Sequence, residues 1–180
     1  MSIVSRFLER KPSDPEPGWV IEPMRRRHLK AIMAIEQQVY PKPWSVGVFQ
    51  SEIEGTRAGE RYYVVGRCEG ELVGYAGMLF ALDEAHVTNI AVDPKQQRHG
   101  YGRKLLCDLA WAARERGSKH LSLEVRVSNL AAQELYRSFG FVPAGVRPRY
   151  YENTEDAIVM WRHDIDTPDF ADVLRRLGPR

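Results

Sequence analysis

The chain has 180 residues, 43% of them hydrophobic, with 26 basic against 24 acidic side chains and a formal net charge of +2. That length and apolar content suit one domain with one core, and the near-balanced charge gives no general nucleic-acid footprint. No apolar run is long enough to span a bilayer and the N-terminus lacks a signal-peptide centre. Two cysteines without zinc-like spacing to the five histidines read as packed, reduced thiols, so a cytoplasmic protein without a metal is expected.

Residues 1–17 end in Lys11-Pro12-Ser13-Asp14-Pro15-Glu16-Pro17, too polar and proline-rich to pack, and are expected to form a flexible tail. A domain over residues 18–165 follows. Trp19, Val20 and Ile21 predict the first strand, and a helix from about Met24 carries Leu29, Ile32, Met33 and Glu36. Its Arg25-Arg26-Arg27-His28 opening reads as a solvated helix end, with a ribosome contact as the minority reading. Ser45 caps a second helix. Residues 61–68 and 72–82 predict a hairpin turned at Glu69-Gly70.

Residues 87–94 form a branched apolar strand stopped by Asp93-Pro94, and Gln97-Arg98-His99-Gly100-Tyr101-Gly102 follows. Leu105, Leu106, Leu109, Ala110 and Ala113 then recur at helical spacing as far as Gly117. Glycines ahead of a helix N-terminus let backbone approach an anion, and Arg98, His99, Arg103 and Lys104 add positive charge, so the loop can cradle a diphosphate. An ordinary strand-to-helix turn with a solvated basic start is the alternative. A dinucleotide fingerprint lacks its third glycine here, and a P-loop lacks its hydroxyl after Gly102.

Residues 121–127 alternate as a strand, with Leu121, Leu123, Val125 and Val127 on one face and Glu124 on the other. Asn129 opens a helix with Leu130, Ala131, Leu135, Tyr136 and Phe139, closed by Gly140. Taken singly, Asn129 is an N-cap, Glu124 an exposed carboxylate and Tyr136 a core aromatic. Residues 142–151 and 157–162 form the last strand pair. Residues 166–180 make a C-terminal helical tail with a Thr167 cap, a first-turn Pro168 and an apolar stripe of Val173, Leu174 and Leu177 that docks on the domain.

Together, Val92-Asp93-Pro94, Gln97-x-x-Gly100-x-Gly102 and Asn129-x-x-Ala132-x-x-Leu135-Tyr136-x-x-x-Gly140-Phe141 resemble the GNAT superfamily of acetyl-CoA-dependent N-acetyltransferases. Within it the chain is most similar to the RimI-type ribosomal-protein-alanine acetyltransferases. That narrower match is carried by Pro43-Trp44-Ser45, Leu123-Glu124-Val125-Arg126, Arg147-x-Arg149-Tyr150-Tyr151 and Glu155-Asp156-Ala157-Ile158-x-Met160. It implies an α/β fold, a mixed, mostly antiparallel sheet whose middle strands splay apart to admit the pantetheine arm. Three positions depart from the family pattern: Arg98, where glycine is common, Tyr101, where a branched apolar residue is usual, and Pro148, where a non-proline is usual.

By this resemblance Ile90, Ala91 and Val92 would hold the pantetheine of the cosubstrate acetyl-CoA, and Arg98, His99, Gly100, Tyr101, Gly102 and Arg103 its diphosphate. Asn129 would bind near the arm. Glu124 would serve as base and Tyr136 as acid. Trp44, Arg149, Tyr150 and Tyr151 would wall a cleft for a protein N-terminus, the alanine of ribosomal small-subunit protein eighteen. No direct nucleic acid or membrane partner is implied. A GNAT enzyme acting on lysine or a small amine, and a non-catalytic acetyl-CoA-binding regulator, are the other readings.

Overall fold

The computed structural model describes residues 18–178; the expected tail over residues 1–17 lies outside the described residues, as do the last two of the C-terminal tail. The strands are β1 (Val20–Pro23), β2 (Arg61–Cys68), β3 (Glu71–Ala81), β4 (Glu84–Val92), β5 (His120–Arg126), β6 (Val142–Tyr151) and β7 (Glu155–Arg162). The α-helices are α1 (Leu29–Val39), α2 (Val46–Arg57), α3 (Tyr101–Glu115), α4 (Leu130–Ser138) and α5 (Pro168–Leu177). The strands form one sheet in the order β1-β2-β3-β4-β5-β7-β6, with β4 and β5 parallel and the other neighbours antiparallel.

Period-two alternation gives the sheet two apolar faces, and helices cover both. Val64, Ala76, Val87, Leu121, Leu123 and Val125 meet Leu105, Leu106, Leu109 and Ala113 of α3 on one face, with Phe170 and Leu174 of α5 in the same core. On the other, Tyr63, Val65, Tyr75 and Ala91 meet Leu29, Ile32 and Ile35 of α1 and Phe49 and Ile53 of α2. Helix α2 starts where expected, since Ser45 Oγ accepts the Val48 N–H at 3.3 Å. Helix α3 is closed just past its last residue by Gly117, whose φ is 79° and whose N–H donates to the Arg114 carbonyl.

Four local expectations need correction. Strand β5 stops at Arg126, so Val127 lies past its end and is exposed. Leu130 faces solvent from the first turn of α4. Thr167 occupies the N-cap position of α5, but its hydroxyl donates to the Asp164 carbonyl at 2.8 Å instead of capping. Strand β4 begins at Glu84, three residues before the apolar run from Val87.

The sheet is not continuous between its middle strands. The β4–β5 ladder runs only from Glu84↔His120 to Val87↔Leu123, while β4 goes on to Val92 and β5 to Arg126. The parting starts at a β-bulge: Met78 pairs with Val87 and Gly77 with Asn89, leaving Thr88 as the extra residue. The bulge is held from the α1/α2 face. The Tyr63 hydroxyl lies 2.6 Å from Thr88 Oγ1, and the fully enclosed Tyr63 ring passes over Gly77.

A Cβ at Gly77 would stand 2.0 Å from the Tyr63 ring. We therefore expect Gly77→Ala to cost about 1–3 kcal/mol in urea unfolding, because either the ring or the bulge must shift. Gly145→Ala, with open space and no left-handed φ, is the control and should stay within about 0.5 kcal/mol.

Candidate active site

The parted strands open on a cleft of about 1290 Å³, lined by Ile90 on one side and Glu124, Val125 and Arg126 on the other. Ladder geometry decides which backbone groups face the gap. The Asp93 N–H donates to the Val73 carbonyl, so in the alternating antiparallel pattern Ala91 and Asn89 also bond to β3, and Ile90 and Val92 turn their N–H groups away from it. The three residues expected to bond pantetheine thus divide into two that face the gap and Ala91, which faces β3. Tyr40, at the end of α1, reaches the same edge, its hydroxyl 2.6 Å from Asn89 Oδ1 and 3.1 Å from the Ile90 carbonyl.

Glu124 stands on the β5 bank with only 7% of its side chain exposed. His86 Nε2 lies 3.0 Å from its Oε2 and Arg147 Nη2 3.2 Å from its Oε1. The His86 hydrogen bond, aided by the charges of His86 and Arg147 and opposed by burial, holds the Glu124 carboxyl below the usual carboxylate range. Arg147 is 55% exposed and its pull is screened, so His86 dominates. Tyr136 lines the same cleft from α4, its hydroxyl pushed up to about 12 by burial.

Two further segments wall the cleft. Trp44 donates its backbone N–H to Glu36 Oε1 at 2.9 Å, and Glu36, 1% exposed, also accepts from the Tyr75 hydroxyl. A buried carboxylate thereby pins the loop between α1 and α2; burial raises the Glu36 carboxyl above its ordinary value. From β6, Tyr150 and Tyr151 meet edge to face with ring centres 5.1 Å apart, and the Arg126 guanidinium lies 4.1 Å from the Tyr151 ring. Arg126 is fixed by Glu152 at 2.7 Å and Glu155 at 3.0 Å. Pro148 falls in a register shift between Arg147 and Tyr151, where no ladder bond is lost, and Arg149 takes a left-handed φ of 53° with its N–H on Asp156 Oδ1.

The glycine loop lies beyond the cleft, where β4 leads through a 3₁₀ turn into α3. Gly100 is the N-cap of α3 at φ 83°, and Arg98 sits at φ 69°, which accounts for glycine being favoured there. Tyr101 turns inward: its ring stacks on Trp19 at 5.0 Å, so its side chain belongs to the packing and only its backbone to the helix start. His99 Nδ1 lies 3.2 Å from the Gln96 carbonyl. The buried Nε of Arg103 has no hydrogen-bond partner among the described residues, and its guanidinium stands 3.5 Å from where a Gly100 Cβ would be. An orphan cation donor beside an uncapped helix N-terminus fits a diphosphate.

Of the expected residues, the cleft brings together Glu124, Tyr136, Ile90, Asn129, Trp44, Arg149, Tyr150 and Tyr151. Ala91, Val92 and residues 98–103 do not line it and follow along β4 and the start of α3. Asn129 caps α4, accepting the Ala132 N–H at 3.1 Å. Sequence reasoning missed His86, Ser122, Tyr40 and Glu36. The signal for His86 was its even spacing from Thr88 in a strand parallel to the one carrying Glu124.

A family model described as Acetyltransferase (GNAT) family matches residues 29–141, a span that holds both banks of the gap and the loop between them. The fold and site are thus those of the acetyltransferases that modify amines. The chain belongs to the GNAT family.

Among its relatives, the [ribosomal protein bS18]-alanine N-acetyltransferase of Escherichia coli (strain K12) is 42% identical over 144 residues, 78% of this chain and 94% of that one. A protein of Bacillus subtilis (strain 168) named as a putative enzyme of the same kind is 38% identical over 140 residues, 77% and 91% of the two chains. The crystal structure of the E. coli ribosomal-protein-S18-alanine N-acetyltransferase superposes with a TM-score of 0.73, covering 81% of this chain and 94% of that chain. Ard1 from Thermoplasma volcanium, 24% identical with a TM-score of 0.75, shares the fold, covering 81% and 97%.

Because the folded pKa of Glu124 is depressed, the stability its ionised form contributes is present above about pH 4.3, the unfolded value, and is lost as pH falls through the lower folded one. Glu124→Gln is expected to cost about 1–3 kcal/mol at pH 7. The difference from wild type in urea midpoint should shrink steadily below pH 4.

Proposed function

We propose that this protein transfers the acetyl group of acetyl-CoA to the N-terminal α-amine of a ribosomal protein, the alanine terminus of its bS18, in the cytoplasm. The observation that carries the reading is the enclosed carboxylate of Glu124 on the bank of the gap, held ionised by His86 and Arg147. The relatives with bS18-alanine activity, matched over more than nine-tenths of their own length, support the choice of acceptor. Residues 18–165 would form the catalytic domain, with α5 bracing α3.

The acid–base arithmetic favours an α-amine. Its pKa is about 7.7–8.0 and that of lysine about 10.4, so freeing lysine at neutral pH costs about 3–4 kcal/mol more. A carboxylate whose basicity is already reduced is poorly matched to lysine. In the proposed mechanism Glu124 receives the amine proton, directly or through one water. The Ile90 or Val92 N–H, facing the gap, would offset charge building on the carbonyl oxygen. Acetyl-CoA supplies the activated acyl carbon; Arg103 and the first turn of α3 hold its diphosphate.

Tyr136 has a different part from full proton donation. A phenol near 12 faces a departing thiolate whose conjugate thiol has a pKa of about 8.5, so complete transfer is uphill by roughly 4–5 kcal/mol. Tyr136 stays protonated at working pH and donates a hydrogen bond to the thiolate, with solvent completing the transfer. Tyr150, Tyr151, Arg149 and Trp44 are proposed to hold the peptide behind its first residue.

Thiol release with an N-terminal Ala-Arg peptide, against its Nα-blocked twin carrying an internal lysine, tests the acceptor. Turnover on the free terminus alone is expected. Turnover on the blocked peptide would move the protein to lysine chemistry, and silence on both with intact acetyl-CoA binding would leave a different amine or a regulator. Glu124→Gln should lower kcat by about 10²–10⁴-fold and Tyr136→Phe by about tenfold or less, each with acetyl-CoA Kd changed less than about threefold. Arg103→Ala should instead weaken acetyl-CoA binding by about tenfold, with kcat at saturation retained.

A further inference from the structure

Glu124 is one end of a hydrogen-bonded file that runs down the α1/α2 face of the sheet. His86 Nε2 lies 3.0 Å from Glu124 Oε2, and His86 Nδ1 lies 2.7 Å from Ser122 Oγ. The Ser122 hydroxyl in turn donates to Glu84 Oε1. Ser122 is 2% exposed, whereas Glu84 and His86 keep 29% and 22% of their side chains in contact with water.

Counting protons along this file fixes the imidazole. A carboxylate has only acceptors, so the single hydrogen of Ser122 Oγ is spent on Glu84. Toward His86, Oγ can then only accept, and Nδ1 must carry a proton. The remaining contact, Nε2 to Oε2, needs one proton of its own, either on Nε2 as imidazolium against carboxylate or on Oε2 as carboxylic acid against neutral imidazole. Without that proton, two lone pairs would face each other at 3.0 Å.

We propose that Glu124 and His86 share one proton and act on the substrate amine as a single dyad, with Ser122 and Glu84 as positioning residues that hold the ring in its Nδ1–H form. This deepens the N-terminal acetylation reading and rests on it for the source of the proton. In each cycle the dyad releases its shared proton to water through the partly exposed His86 edge. The substrate ammonium then gives its N–H proton to the dyad. The freed lone pair forms the new C–N bond as the C–S bond breaks, the acylated nitrogen gives up its second N–H proton to solvent, and the leaving thiolate gains a proton from solvent under the Tyr136 hydrogen bond.

Two acceptors pressed together take a proton more readily than either alone. The dyad therefore accepts the α-amine proton more readily than an isolated low-pKa carboxylate would. The other charged groups on the dyad are Arg147 of β6, 3.2 Å from Glu124 Oε1 with Tyr150 beside its guanidinium, and Glu84, whose Oε1 lies 3.9 Å from His86 Nδ1. Leu79 of β3 pairs opposite His86, and Val159 and Trp161 of β7 pair opposite Glu124 and Ser122, so these strands place no charge at those positions. Glu36 of α1 lines the same cleft but is committed to Trp44 and Tyr75.

The test reads the ring directly. In the full-length protein labelled with ¹⁵N-histidine, the His86 nitrogens should titrate as a coupled unit, the neutral ring keeping its proton on Nδ1. Glu124→Gln should move that titration at least one pH unit to lower pH, and Ser122→Ala should shift the neutral ring to Nε2–H. In turnover at saturating substrate, His86→Gln should move the acid limb of kcat at least one unit to lower pH while lowering the plateau. Glu84→Gln should lower kcat about three- to tenfold with KM within twofold. Thermal unfolding of each variant shows whether it is folded.

A His86 titration unchanged by Glu124→Gln would overturn the dyad, as would an unmoved acid limb in a folded His86→Gln protein. The ring titration needs no substrate, so the two readings fail separately. A coupled ring without N-terminal acetylation sinks only the acceptor assignment, and an uncoupled ring with N-terminal acetylation sinks only the dyad.

Discussion

One extra residue in β4, Thr88, sets the geometry on which the rest of the site depends. Upstream of it β4 pairs with both neighbours; downstream it stays with β3 and leaves β5. A strand that gives up a ladder edge must find other partners for its backbone groups. Here the Ile90 carbonyl meets the Tyr40 hydroxyl, and the N–H groups of Ile90 and Val92 are left facing a gap that an extended amide-bearing arm can fill. The bulge is itself tied to the core through Tyr63, whose ring needs the missing side chain of Gly77.

The bulge also sorts chemistry onto faces. It puts Thr88 and Asn89 on the α1/α2 side in succession, after which Ile90 packs toward α3 and Ala91 toward α1. Glu84 and His86, upstream, share the α1/α2 face with Ser122 and Glu124 of β5, and the hydrogen-bonded file forms across the last paired part of the two strands. Paired backbone thus carries the hydrogen-bonded file, while parted backbone faces the open cleft. Both halves meet at Val87↔Leu123, the last rung of the ladder.

Much of the fold was legible because its signals are local. Ser45 and Asn129 are side-chain caps, the Glu69-Gly70 turn joins β2 to β3, and the alternation in β5 put Glu124 on the face opposite Leu123. The bulge was not legible, since Val87 to Val92 reads as an unbroken strand and a one-residue slip leaves no compositional mark. His86 was missed for a related reason: the apolar run marks the strand only from Val87, whereas Glu84, Ala85 and His86 open β4. Tyr101 shows a different limit. Its position in the loop motif pointed to the cofactor, but an aromatic partner far away in sequence, Trp19, decides where its ring goes.

The central claim is that the β4 edge beyond Thr88 is the acyl donor's binding edge, and residue-resolved amide hydrogen exchange with and without acetyl-CoA tests it most directly. The Ile90 and Val92 amides should exchange readily in the free protein and slow by about tenfold or more at saturating acetyl-CoA. Ala91, already bonded to β3, should change little. Equal protection of all three in the free protein, or no slowing of Ile90 and Val92 under conditions where binding is saturated, would contradict the account.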